Sequence, residues 1–268
     1  MLKKFLLASS LLLAAGCTTV PITGRRQLSL VSDSEMNTLA ISQYKQTLST
    51  AKLSTNAAEV AMVRRVGERI EAAVQQYFKQ QGQSAALEGY QWEFNLIDDP
   101  KTVNAWCMPG GKVAVYSGIL PITQNENGLA VVMGHEISHA VAKHGAERMS
   151  DQLVAQVGGA ALSTALSQNP TVTQSIFKQA VGMGAQAGTQ VGLLAFGRRQ
   201  ESEADHLGLI FMAIAGYDPN GAVPFWERMA AQSQGGTPEF LSDHPADATR
   251  IADIKSLMPE ALKYYKPR

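Results

Sequence analysis

Cysteine is nearly missing from this chain, with 2 in 268 residues, and histidine is almost as scarce at 5. Two cysteines cannot build the disulfide framework of a small secreted scaffold. Charge is sparse too: charged residues make up 17%, and 23 Lys+Arg balance 23 Asp+Glu to a formal net charge of zero. Without a basic excess the chain does not read as a nucleic-acid binder. No uninterrupted apolar run reaches the ~18–20 residues that span a bilayer, which excludes a polytopic membrane protein. No internal repeat of the roughly 20–50-residue kind is present, so a solenoid is excluded. What the chain does have is apolar content. At 45% hydrophobic residues it can bury a real core and is not disordered. Its length suits one large or two small domains.

The first sixteen residues do not belong to that fold. Lys3 and Lys4 precede an apolar stretch from Phe5 to Ala15, closed by Gly16. A charged start, a short apolar run and a small-residue cleavage site make a secretory signal. Cys17 directly after Ala14-Ala15-Gly16 resembles a bacterial lipobox, although Leu13 stands four residues before the cysteine rather than three. The expectation is therefore a lipidated Cys17 as first mature residue, an N-terminal lipid anchor and a place on the periplasmic side of the bacterial envelope. Thr18, where Asp would signal retention, points to the outer membrane. The alternative is an ordinary signal with an incidental cysteine. With Cys17 acylated, Cys107 has no partner and reads as a small buried hydrophobe.

Residues 17–32 mix Pro, Gly and Thr without periodicity and read as a tether, leaving 33–268 as the folded domain. Asp33 or Ser34 caps an expected helix over 35–48. Val60, Val63, Val66, Ile70, Val74 and Phe78 recur every three or four residues, predicting a helix over 56–80. Tyr90, Trp92, Phe94 and Leu96 alternate with polar residues and predict a strand. A short extended piece at 104–106, a turn at Pro109-Gly110-Gly111 and a strand over Lys112–Tyr116 follow. One long helix is expected from Asn127 to Met149. Between Gln152 and Gly197 the only charged residue is Lys178. That stretch reads as a low-charge helical hairpin inserted over 152–197. Gly184, Gly188 and Gly192 form a small-residue face on it, which leaves open a membrane-facing or self-associating role, hence a homo-oligomer. Helices near 199–215, 219–233 and 246–258 complete a mainly helical α+β domain.

The chemistry sits in His135-Glu136-Ile137-Ser138-His139. Residues four apart on a helix lie about 40° apart and one turn along, so both imidazoles reach one tetrahedral zinc. Glu136 lies between them and flanks the metal without needing to bind it, as the base for an attacking water must. The third ligand is not the nearby His144. On a continuous helix it lies about 140° from His139 and about 180° from His135. The ligand must come from elsewhere, and Glu201-Ser202-Glu203-Ala204-Asp205 is the best source. Glu201 and Asp205 share one helical face, while Glu203 points about 200° from Glu201. Glu201 is assigned to zinc. Asp205 is assigned as acceptor for the distal N–H of a ligand histidine, His135 by preference. His244, followed by Pro245 and then Arg250, is either a surface residue before a helix or a group near the fourth zinc position. There it would support the transition state or block the water site, with Arg250 polarising a carbonyl or anchoring the loop.

Taken together, Asn104-Ala105, Pro109-Gly110-Gly111, His135-Glu136-x-x-His139 continuing to His144 and Arg148, Glu201-x-x-x-Asp205, and His244-Pro245 with Arg250 resemble one family. It is that of the CAAX prenyl proteases and HtpX, and within it the short periplasmic lipoprotein branch of LoiP and YcaL, related to the mitochondrial Oma protease and the catalytic domain of BepA. The resemblance covers about 30–258. It implies a gluzincin endopeptidase with one Zn²⁺ held by His135, His139 and Glu201, and with Glu136 as general base. It implies that the strand after the Gly-Gly turn lines the cleft, with Asn104, Lys112, Val113, Ala114 and Val115 along it; an edge strand there would pair with an extended polypeptide. It implies that His244 is a resting-state ligand in some relatives, and that the substrates are misfolded envelope proteins. The rival expectation is a latent or non-enzymatic assembly factor for outer-membrane proteins.

Overall fold

The computed structural model describes residues 17–20, 22–157, 197–232, 238–244 and 248–267. The expected leader over 1–16, Pro245, and the expected hairpin from residue 158 to 196 lie outside the described residues. Two short strands, β1 (Cys17–Thr19) and β2 (Arg26–Leu28), pair antiparallel at the start. Helix α1 (Asp33–Thr50) starts at Ser32, one residue earlier than expected. Ser32 accepts from the Glu35 backbone while Glu35 reaches back to the Ser32 N–H, closing a reciprocal cap. Helix α2 (Ala57–Gln80) buries the expected stripe, with Val63, Val66, Ile70, Val74 and Phe78 fully enclosed.

The sheet comprises β3 (Glu93–Ile97), β4 (Ala105–Met108) and β5 (Lys112–Tyr116) in the order β3-β5-β4. β5 runs parallel to β3 and antiparallel to β4. Gly110 and Gly111 turn the β4–β5 hairpin with φ of 78° and 80°, a backbone region that other residues rarely enter. One face of the sheet, with Phe94, Leu96, Cys107, Val113 and Val115, joins the main core. The other, with Ile97, Trp106, Met108 and Ala114, packs on Met36, Ala40 and Tyr44 of α1. A strand covered on both faces is apolar throughout, which is why Val113-Ala114-Val115 shows no alternation.

This order corrects one expectation. The Lys112–Tyr116 strand is the centre of the sheet, paired on both sides, and Lys112, Val113, Ala114 and Val115 are buried. It offers no free edge to a substrate. The outer strand on that side is β4.

A short helix α3 (Leu120–Thr123) leads into α4 (Glu126–Val141). The expected single helix over 127–149 is two. Lys143 takes a left-handed φ of 60°, ending α4 and restarting the chain as α5 (His144–Val157). Helix α6 (Arg198–Ile214) crosses α4, and α7 (Ala222–Ala231), α8 (Glu239–Asp243) and α9 (Ala248–Ala261) close the far side. Among the described residues no helix is long and apolar enough to cross a membrane. The segment expected as a tether packs in part against the domain. Val20, Gln27 and Val31 are buried, and Arg25 reaches the acidic residues of α5 and α6.

Candidate metal centre

Every residue of α4 from Gly128 to Val141 is buried, so His135, Glu136 and His139 enter an interior site rather than a surface face. α6 brings the acidic cluster to them. The two helices touch through a glycine pair: a Cβ on Gly208 would lie 3.0 Å from the Gly134 carbonyl carbon and the His135 nitrogen. That close approach, one residue from a histidine and three from Asp205, lets Glu201 reach both imidazoles. α8 ends at His244, whose backbone N–H bonds the Phe240 carbonyl at 2.9 Å.

Four donor atoms converge. His135 Nε2 lies 3.0 Å from His139 Nε2 and 3.1 Å from His244 Nδ1. Glu201 stands 3.5 Å from His135 Nε2, 3.4 Å from His139 Nε2 and 2.9 Å from His244 Nδ1. Tetrahedral zinc with bonds of ~2.0–2.1 Å sets its donors about 3.3–3.4 Å apart, close to these separations. Three imidazoles and one carboxylate, all buried, form a donor set that suits zinc.

The electrostatics agree. Burial would push the Glu201 carboxyl up, yet His244, Arg250 and His135 around it hold it well below the usual carboxylate range. Burial drives His139 well below its ordinary value and takes His244 down to about 4, so both present neutral, lone-pair-bearing rings. His135 behaves differently. Burial and Arg250 lower it, but Glu201 and Asp205 outweigh them and raise it to about 9. Those carboxylates draw a proton onto the ring, and a divalent cation satisfies the same attraction.

Both histidines of α4 are held from behind. Asp205 Oδ1 stands 3.0 Å from His135 Nδ1, placed to accept its N–H. Arg250 meets the two carboxylates of α6. It forks onto Asp205 with two contacts of 2.8 Å, reaches Glu201 at 2.7 Å and stacks over Trp226 at 3.6 Å. It therefore fastens both carboxylates.

His139 has a support that the sequence reading missed. The break at Lys143 swings His144 back, so that its Nδ1 lies 2.8 Å from His139 Nδ1, while its Nε2 lies 3.0 Å from Glu203 Oε2. A carboxylate at Nε2 fixes the proton there and leaves Nδ1 as acceptor. His139 then donates from Nδ1 and turns its Nε2 lone pair to the cluster. Reading the helix as continuous hid His144, although it remains outside the donor set itself. Trp226, the aromatic wall beneath His135 at a 5.7 Å ring separation, had no sequence signal beyond a helical apolar position.

Glu136 stands beside the donors without joining them, its Oε1 3.4 Å from His244 Nε2. With His139 and Cys107 it lines a small cavity walled by Met36, Tyr90 and Ala140. Asn104 opens β4: its carbonyl accepts from the Tyr116 N–H at 3.0 Å and its side chain holds the Ala105 N–H at 2.8 Å.

Comparison with known proteins gives a consistent picture. The model of peptidase family M48 matches residues 68–258. The chain is 36% identical over 247 residues to the mitochondrial metalloendopeptidase OMA1 of Schizosaccharomyces pombe, covering 90% of this chain and 66% of that protein. It is 34% identical over 190 residues to OMA1 of Saccharomyces cerevisiae, covering 68% and 52%. It is 32% identical over 174 residues to the beta-barrel assembly-enhancing protease of Escherichia coli, covering 62% and 34%. The chain thus spans between about a third and two thirds of these relatives' lengths.

Proposed function

This chain belongs to peptidase family M48, and we propose from that premise that it hydrolyses peptide bonds as a zinc-dependent endopeptidase. The observation that carries the reading is Glu136, a buried carboxylate beside the donor cluster and outside it. A purely structural site needs no such group. When bound, zinc would acidify a water and polarise the substrate carbonyl. His135, His139 and Glu201 would hold it. Glu136 accepts a proton from the attacking water, whose oxygen bonds to the carbonyl carbon. The same carboxyl then gives that proton to the amine nitrogen as the C–N bond breaks.

Substrate alignment falls to β4. Asn104 and Tyr116 form a hydrogen-bonded pair, so the alternating antiparallel pattern turns the backbone groups of Ala105 and Cys107 away from β5. An extended polypeptide can pair with that edge through the outward groups of Cys107, beside Glu136, while Asn104 keeps the Ala105 N–H. α8 sits at the same edge, with the Phe240 N–H on the Val103 carbonyl at 3.1 Å. In this reading His244 fills the fourth position at rest, and withdrawal of α8 frees both the edge and the site.

The wider reading places the enzyme on the periplasmic side of the bacterial envelope, in the LoiP/YcaL-like branch, anchored through lipidated Cys17 to the outer membrane. Its substrates are then misfolded envelope polypeptides. The leader pattern from Lys3 to Cys17 and the likeness to the assembly-enhancing protease support it. His244 in the donor set also favours a second reading, a latent protease acting as an assembly factor.

Casein cleavage with zinc-saturated protein separates them. Wild type should cleave, His244→Ala should cleave faster, and Glu136→Gln should keep one zinc while losing about 10²–10⁴-fold in rate. Zinc bound but no cleavage by wild type or His244→Ala would favour the assembly factor.

A further inference from the structure

The chain of contacts behind His139 does not stop at Glu203. Its Oε2, which accepts from His144, also accepts from Arg25 Nε at 2.7 Å, and its Oε1 accepts from the Thr23 hydroxyl. Arg25 turns the rest of its guanidinium onto Glu147, with Nη1 to Oε1 at 2.6 Å and Nη2 to Oε2 at 2.7 Å. Gln200 donates to that same Glu147 oxygen at 2.6 Å. Arg25, between β1 and β2, therefore bridges α5 and α6 at the point where they flank His144. The guanidinium is planar and its fork is rigid, so it fixes the two carboxylates relative to each other as a lysine could not.

We propose that Arg25 is a positioning residue for the metal site: it holds Glu203, Glu203 orients His144, and His144 sets the tautomer and aim of His139. The inference rests on the metal reading of the His135–His139–Glu201 cluster. It means that the segment directly after Cys17 is built into the support of a zinc ligand, about two-thirds of a chain length away from Glu203 in sequence but in direct contact with it. Loss of Arg25 leaves Glu203 with one fewer charged donor and free to swing from His144. His139 then loses its enforced orientation. Outer-shell partners of zinc ligands typically change affinity by about 10–100-fold, and Arg25, one residue further out, belongs at the lower end of that range.

Zinc affinity of the full chain, measured by competition with a chromophoric chelator, tests this, with the melting temperature of each metal-free protein recorded alongside. Arg25→Ala should weaken zinc binding about tenfold or more, and Arg25→Lys should fall between it and wild type. Combined with His144→Ala, Arg25→Ala should add little, because both changes break one chain of contacts. If Arg25→Ala lowers the melting temperature but binds zinc within twofold of wild type, Arg25 is a fastener only and the inference is overturned. Should Arg25→Ala fail to fold, Arg25→Lys decides: affinity threefold or more below wild type supports the inference, and an unchanged affinity overturns it. A wild-type chain that takes up no zinc overturns the metal reading itself.

Discussion

His139 and His144 meet Nδ1 to Nδ1 at 2.8 Å across the break between α4 and α5. One of these nitrogens must carry the proton and the other accept it, and Glu203 on the far side of His144 decides which. Replacing His144 with Ala removes the ring nitrogen that meets His139 Nδ1 and so the contact that fixes its tautomer. Zinc affinity should drop about 10–100-fold, measured by chelator competition. His144→Asn, whose amide oxygen can stand where Nδ1 stood, should recover part of the loss. Equal affinities in all three proteins would remove His144 from the site.

The glycine contact between α4 and α6 should be equally unforgiving. A methyl group on Gly208 meets backbone atoms of Gly134 and His135, which cannot rotate away. Gly208→Ala should cost about 1–3 kcal/mol by overpacking. Because Glu201 and His135 ride on the two helices being forced apart, zinc content after dialysis should fall with the melting temperature. Stability lost with zinc content intact would show that the crossing tolerates the strain.

The acidic pair around Arg25 predicts a dependence on pH. Burial raises Glu203, but His144, Thr23 and Arg25 outweigh it and hold the carboxyl at about 2; Glu147 is likewise below its ordinary range against its own burial, through Arg25 and Gln200. A carboxyl depressed in the folded chain stabilises it fully above the unfolded value of ~4.3, and the contribution fades as pH falls toward the folded value. The melting temperature of the metal-free chain should therefore fall as pH drops from 5 to 3. Glu203→Gln should melt lower at pH 7 and show a shallower decline. Parallel curves for the two proteins would contradict this assignment.

How much of this was legible in the sequence depends on how local each signal is. The two histidines and Glu136 share one helical turn, and Glu201 and Asp205 share another, so their common faces follow from helix geometry alone. The stripe from Val63 to Phe78 is similarly local, and α2 forms where expected. The break at Lys143 is not: Ala142-Lys143-His144 contains neither Gly nor Pro, and a lysine in a left-handed conformation announces nothing beforehand. Strand order is also not local, and nothing in Lys112–Tyr116 distinguishes a central strand from an edge. Arg25 lies 122 residues from Glu147 and 178 from Glu203, in a stretch whose composition reads as tether. Only tertiary contact reveals what it holds.

If one zinc sits among His135, His139 and Glu201, a crystallographic anomalous map recorded across the zinc edge will show it there. A single peak is expected within ~2.0–2.2 Å of an imidazole nitrogen of each histidine and an oxygen of Glu201. His244 Nδ1 should take the fourth place in the resting protein. No peak at that cluster, or a peak held by other side chains, would contradict it.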